Sequence, residues 1–259
     1  MSFQLERKTI TLNIFAGLFN LMNIELQNWF KTRKIFMHVC LWAILLFGLV
    51  VIAGINEYTA NSSVEMFLNF TGVFGAIGVI ISAQNVIIGE RKNGVTPWLL
   101  SKPISRTSYI ISKFFGNLSG FFIAMSLIPS LLIFIYISIR STQLFSFNRL
   151  FGFMGFVIIY FSFYLSITIM LGSFFRNRGA VAGIPVGIFF AQSLLSGVLP
   201  KQAPYFPNNM LSGDEAVSSV IGNYFFNGTV TSYGSLISAS VLTLCFIAIA
   251  IWRFNIEEL

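Results

Sequence analysis

Residues 90–113 read ERKNGVTPWLLSKPISRTSYIISK, a compact basic segment that two prolines interrupt. On both sides the chain is strongly apolar over lengths that can cross a lipid bilayer, which takes about 20 residues of helix. Of all 259 residues, 56% are hydrophobic and only 10% are charged, whereas soluble domains carry about 25% charged residues. We therefore predict an integral membrane protein in which residues 90–113 connect two membrane spans.

Six apolar stretches are long enough to span the membrane as helices. They cover residues 35–55, 66–88, 114–139, 150–175, 180–199 and 233–252. None of these stretches contains Lys, Arg, Asp or Glu. The predicted fold class is an all-α integral membrane protein with six transmembrane helices.

The basic residues between the spans predict the orientation, because cytoplasmic loops are enriched in Lys and Arg. If the N-terminus is cytoplasmic, all but three of the 16 Lys and Arg residues fall on the inner side. The three outer ones are Arg140, Arg149 and Lys201. We expect a multi-pass protein of a bacterial cytoplasmic membrane with both termini inside. Its predicted parts are a cytoplasmic N-terminus, a six-span domain and a cytoplasmic tail, at residues 1–34, 35–252 and 253–259.

The longest external loop, residues 200–232, is too apolar to be a free linker. We expect it to be helical and to rest on the membrane surface or dip back into it. Its sequence leaves two roles open: it closes the exit of a path, or it merely covers the bundle.

Residues 13–34 show helical periodicity with two faces. Apolar Phe15, Leu18, Met22, Leu26 and Trp29 recur on one face, and Asn20, Asn23, Gln27, Lys31 and Lys34 recur on the other. This pattern predicts an amphipathic helix in the membrane interface, with Lys31 and Lys34 near anionic headgroups. The alternative is an amphipathic start of the first span itself.

The predicted spans offer little chemistry of their own. Ion-coupled carriers need charged groups at mid-depth, and these spans have none. Besides scattered Ser and Thr, their candidates for lining a path are Gln84, Asn85, Asn117 and Gln192, side chains that could equally pack helices together. Paired aspartates, Ser/His arrangements and metal-ligand clusters are absent from the spans, so neither catalysis nor a metal site is predicted.

The connection at residues 89–113 carries the signals of ordered structure. An Asn-Gly dipeptide at 93–94 favours a turn. A Thr-Pro dipeptide at 96–97 is typical of a helix cap followed by proline at the first helical position. Pro103 then ends this short helix and Ser105 caps the next one. The predicted connection is therefore a turn, a short helix and a second turn.

Nine residues of this connection resemble the signature between the second and third spans of type-2 ABC exporter permeases. They are Glu90, Gly94, Leu100, Ser101, Pro103, Ile104, Ser105, Arg106 and Lys113. The resemblance extends to the amphipathic lead-in, the six spans and the helical external loop. One departure lies at residues 95–98, where the family often has Thr-Leu after the glycine and this chain has Val-Thr-Pro-Trp.

The resemblance implies a transport subunit driven by a separate ATPase. In such transporters the short connection is a coupling helix that docks in a groove of the ATPase. By this analogy we expect the docking segment to act through Glu90, Gly94, Thr96, Trp98, Leu99, Pro103, Ser105 and Arg106. Trp98 and Leu99 would fill the groove, and Arg106 would pair with a carboxylate, either Glu90 or one of the partner's, or with a lipid phosphate. This chain has no G-x-x-x-x-G-K-[ST] phosphate loop, so ATP and Mg would bind to the partner.

The implied complex contains two ATPase subunits and a second permease chain, either identical or similar, together with membrane lipids and without nucleic acid. Its cargo would be a hydrophobic or amphipathic molecule such as a toxin peptide, an antibiotic or a lipid-like compound, which is consistent with efflux, peptide export or antibiotic resistance. One alternative is a scaffold or sensor that anchors an ATPase without moving cargo. A secondary carrier and an intramembrane enzyme are disfavoured by the uncharged spans.

Overall fold

A computed structural model describes residues 17–31, 33–54, 60–95, 104–140, 147–211, 219–230 and 232–256. These residues form helices, turns and short connections, and no strand occurs among them. Six helical segments are long and apolar enough to cross a membrane: Arg33–Ile52, Ser62–Lys92, Arg106–Ile139, Phe147–Phe174, Arg178–Val198 and Gly234–Ile256. We call them spans 1 to 6. They overlap all six predicted stretches, so the predicted fold class is confirmed.

A separate N-terminal helix, Leu18–Phe30, precedes span 1. The two helices are distinct, since span 1 begins at Arg33 after a break in the chain direction around Lys31. The sequence had left open a helix continuous with span 1, and the break favours the separate helix. Whether this helix lies in the membrane interface stays a prediction.

Three spans depart from regular α-helix, and one of them is span 2, whose helix gives way to a turn at residues 84–87. Span 1 contains a π-helical segment at Ala43–Gly48, and span 3 contains another at Phe122–Leu127. The second segment comes just before Pro129, whose ring would clash with the carbonyl four residues earlier in a regular helix. A wide π-helical turn loosens the hydrogen-bond ladder at that point.

Span 4 forms the centre of the bundle. It packs against spans 2, 5 and 6, and large aromatic side chains such as Tyr160, Phe161 and Tyr164 are fully buried along it. Elsewhere small residues allow helices to approach closely, as is common between membrane helices. A Cβ atom at Gly78 of span 2 would lie only 2.1 Å from the Trp42 ring of span 1.

The described part of the long loop packs onto one end of this bundle. It forms two 3-10 turns, Ala203–Tyr205 and Pro207–Met210, and a loop helix, Val220–Asn227. Asn208 is only 1% exposed. Its backbone N–H donates to Gln192 Oε1 at 3.0 Å, and its amide donates to the Ser193 hydroxyl. The loop is thus anchored in span 5, beyond the surface contact that the sequence predicted.

Candidate functional site

The opposite end of the bundle holds most of the described charged residues. We call it the basic end: the N-terminal helix lies there, spans 1, 3 and 5 begin there, and spans 2, 4 and 6 end there. The connection between spans 2 and 3 also lies at this end. The site is built from side chains that join these helix ends.

The N-terminal helix packs tightly against the first half of span 3. Two glycines one helical turn apart make this possible: a Cβ atom at Gly116 would lie 2.4 Å from the Glu25 Cβ, and one at Gly120 would lie 2.2 Å from the Trp29 ring. Trp29 Nε1 donates to Asn117 Oδ1 at 3.1 Å. This small-xxx-small pattern brings two helix backbones together and leaves room for one polar contact between them.

The N-terminal helix turns toward span 3 a face that its hydrophobic periodicity did not single out. Its buried residues are Leu21, Glu25 and Trp29, at spacings of four residues. Leu18 and Met22 of the predicted apolar face are only partly buried, and Phe15 lies outside the described residues. Glu25 is buried on this face because it meets a cation on span 3, a contact that hydrophobic periodicity cannot show.

That cation is Lys113, the centre of a buried charge cluster. Its ammonium contacts the carboxylates of Glu25, from the N-terminal helix, and Glu90, from the end of span 2. The side chains of Lys113 and Glu25 are only 6% and 10% exposed. Tyr109 donates its hydroxyl to the second carboxylate oxygen of Glu90 at 2.8 Å. Buried charges are tolerated when they are paired and hydrogen-bonded in this way.

Two arginines flank the connection and bind the ends of two other spans. Arg91, just before it, donates to the Ser173 carbonyl at the end of span 4 at 3.2 Å. Arg106, just after it, donates to the carbonyls of Phe254 and Asn255 at the end of span 6, at 2.6 and 2.9 Å. The last carbonyls of a helix lack partners within the helix and carry partial negative charge, so a guanidinium is well suited to both positions.

The structure describes some of the residues predicted to form the two turns. Gly94 has a φ of 68°, a left-handed conformation that glycine adopts without strain. Ser105 caps the helix of span 3, as predicted, and its hydroxyl accepts from the Ser108 N–H at 3.0 Å. The remaining predicted coupling residues lie outside the described part of the chain: Thr96, Trp98, Leu99 and Pro103.

Arg106 and Glu90, which the sequence offered as one possible pair, have other partners. Glu90 accepts from Lys113 and Tyr109, and Arg106 meets carbonyl oxygens. The sequence could have indicated the contact between Glu90 and Lys113, since these two residues lie on either side of the same connection. It held no signal for the contacts of Arg106, because every residue type has a backbone carbonyl and the sequence does not mark which one accepts.

The polar residues predicted inside the spans do not form one path within this chain. Asn117 packs against the N-terminal helix through Trp29, and Gln192 holds the loop at the other end of the bundle. Gln84 is half-buried and Asn85 exposed where span 2 loses its regular helix. Among the described residues, no group of His, Cys, Asp or Glu could hold a metal ion.

Comparison with known proteins places this arrangement in a family. The family model for "ABC-2 family transporter protein" matches residues 19–259. The chain belongs to this ABC-2 family. It is also 23% identical over 207 residues to the uncharacterized transmembrane protein YxlG of Bacillus subtilis (strain 168). The aligned region covers 78% of this chain and 77% of that protein. Membership confirms the predicted resemblance to type-2 ABC permeases.

Family membership fixes the general role of the chain. ABC-2 proteins are multi-pass membrane components of ABC transporters, and they associate with an ABC ATPase. They are transport subunits that typically lack an ATPase of their own. The charge cluster and the two arginine contacts therefore lie in a transporter subunit.

Proposed function

We propose that the chain is the membrane subunit of an exporter and that its ATPase docks on residues 93–105, between spans 2 and 3. The observation that carries this proposal is the bracketing of these residues by Arg91 and Arg106. Each arginine binds the end of a different span. Movement of the docked segment would therefore be passed to spans 4 and 6 as well as to spans 2 and 3, which the segment connects.

The charge cluster extends this connection to the N-terminal helix. Glu90 and Lys113 lie on the two sides of residues 93–105, and Lys113 also holds Glu25. The segment is thus fixed at both ends to the N-terminal helix and to spans 2, 3, 4 and 6. Such a junction can move as one rigid body when two ATPase subunits close, which is how domain motions are commonly transmitted.

The basic end would face the cytoplasm, where ATP is available. Its Lys and Arg residues follow the rule for cytoplasmic loops. ATP and Mg²⁺ would bind to the ATPase, since the chain has no phosphate loop. Two ATPase copies would act on two membrane subunits, either identical or similar chains, in a bacterial cytoplasmic membrane.

The distribution of charge supports hydrophobic or amphipathic cargo. Among the described residues, the buried charged side chains are Glu25 and Lys113, both at the basic end. The rest of the described bundle interior is apolar with scattered hydroxyl and amide groups, which offers no site for an ion or a highly charged solute. We infer export of a peptide toxin, an antibiotic or a lipid-like molecule.

The test is co-purification of the tagged chain with an ABC ATPase in mild detergent. Trp98→Ala/Leu99→Ala removes the two residues expected to fill the ATPase groove. The matched control, Ile135→Ala/Ile139→Ala, removes two exposed apolar side chains far from the basic end on span 3. We expect the ATPase to be lost from the first variant and kept by the second.

Retention of the ATPase by the Trp98/Leu99 variant would refute docking on this segment. A complex that hydrolyses ATP at the same rate with and without candidate cargo would favour the scaffold instead of the exporter. Stimulation of hydrolysis by hydrophobic peptides would support the exporter and narrow the class of cargo.

A further inference from the structure

The turn between spans 4 and 5 presents basic and aromatic side chains together. Span 4 ends at Phe174 and span 5 begins at Arg178, so only three residues connect them. Phe174 and Phe175 are 43% and 40% exposed, and the side chains of Arg176 and Arg178 are exposed as well. Arg253, from the end of span 6, lies over the Phe174 ring at 5.7 Å.

These arginines have no acidic counterpart in the described part of the chain. The carboxylates described there are Glu25, Glu65 and Glu90. Lys113 engages Glu25 and Glu90, and Glu65 lies near the other end of span 2. Among the described residues, neither Arg176 nor Arg178 forms an ion pair. Three guanidinium groups therefore stand close to one turn with their charge uncompensated by these carboxylates.

The length of span 5 is consistent with a position of this turn near the membrane surface. Its 21 residues extend about 31 Å at 1.5 Å per residue, and the hydrocarbon core of a bilayer is about 30 Å thick. With span 5 centred in the bilayer, Arg178 would lie at the edge of the hydrocarbon region and Arg176 at the level of the headgroups. The turn is too short to project toward a soluble protein, whereas aromatic residues at this depth are typical of a membrane interface.

We propose that Arg176, Arg178 and Arg253 bind the headgroup of an anionic phospholipid. The guanidinium groups donate hydrogen bonds to its phosphate oxygens, while Phe174 and Phe175 contact the upper part of its acyl chains. Arg253 lies one residue before Phe254, whose carbonyl Arg106 binds. The lipid therefore contacts the same end of span 6 that the connection between spans 2 and 3 holds.

Native mass spectrometry of the detergent-purified full chain tests this site. Phosphatidylglycerol and phosphatidylcholine are titrated separately, and the apparent affinity for each is read from the bound population. Arg176→Gln/Arg178→Gln removes two headgroup contacts. The control, Lys92→Gln/Lys201→Gln, removes two exposed lysines and the same net charge.

We expect the arginine variant to lose about fivefold in phosphatidylglycerol affinity per arginine, on the order of 25-fold in all. Phosphatidylcholine binding should not change, and the control should keep native affinity for both lipids. Arg176→Lys/Arg178→Lys should retain most of the binding, which separates loss of charge from loss of folding.

Three results would overturn the site. The first is an equal loss of affinity in the arginine variant and the control, which would indicate a response to net charge alone. The second is competition by inorganic phosphate as strong as that by the lipid, because a free anion would then be the ligand. The third is loss of the co-purifying ATPase with unchanged lipid binding, which would make an acidic protein surface the partner.

Discussion

Replacement of Lys113 by Met tests the charge cluster most directly. The change keeps a long unbranched side chain on span 3 and removes the ammonium that faces Glu25 and Glu90. Glu25 then remains buried without its cation, whereas Glu90 is 27% exposed and keeps the hydroxyl of Tyr109. Most of the cost should therefore come from Glu25.

The expected magnitude follows from breaking a buried pair on one side only. Such changes cost about 3–5 kcal/mol because an uncompensated charge is left behind. Replacing both partners by apolar residues is often neutral, so Lys113→Met/Glu25→Leu should recover most of that loss. The exposed Lys92 provides the control, and Lys92→Met should change stability by less than about 0.5 kcal/mol.

Equilibrium unfolding in mixed detergent and SDS micelles measures these differences in free energy. The reasoning requires the single variant to be less stable than the double variant. A Lys113→Met protein within about 1 kcal/mol of the native chain, or a double variant even less stable than the single one, would show that the cluster contributes no net pairing energy.

Three further changes test other contacts of the same structure. Gly120→Ala places a methyl group against the Trp29 ring, so hydrogen exchange in the N-terminal helix should accelerate as that helix detaches. As a control, Gly155→Ala at an open position should leave exchange in the N-terminal helix unchanged. Ser105→Ala removes the cap of span 3 and should cost about 1 kcal/mol in the free energy of unfolding measured in mixed micelles; an unchanged value would show that the cap is not needed. Asn208→Ala removes the amide that donates to the Ser193 hydroxyl and accepts from Tyr160, and it should cost about 1–3 kcal/mol by the same assay, with faster exchange confined to residues 203–211; slow exchange there would contradict the anchoring of the loop.

The spans could be predicted from sequence because their signal is a simple one. Twenty apolar residues without a charge have one stable arrangement in a bilayer, a helix that satisfies its own backbone hydrogen bonds. The buried face of the N-terminal helix could not be predicted from its own periodicity. Glu25 is buried because Lys113, far along the chain, compensates its charge, and because Gly116 allows the two helices to approach.

The arginine contacts bear on how the ATPase could drive the chain. If only spans 2 and 3 moved with the connection, the remaining helices would have to follow through side-chain packing alone. Arg91 and Arg106 instead fix spans 4 and 6 to the two sides of the segment through charge-assisted hydrogen bonds, which are among the stronger polar contacts in proteins. Span 4 also forms the centre of the bundle and packs against spans 2, 5 and 6. Under the proposed docking, a displacement applied at residues 93–105 would therefore reach span 4 through Arg91 and span 6 through Arg106.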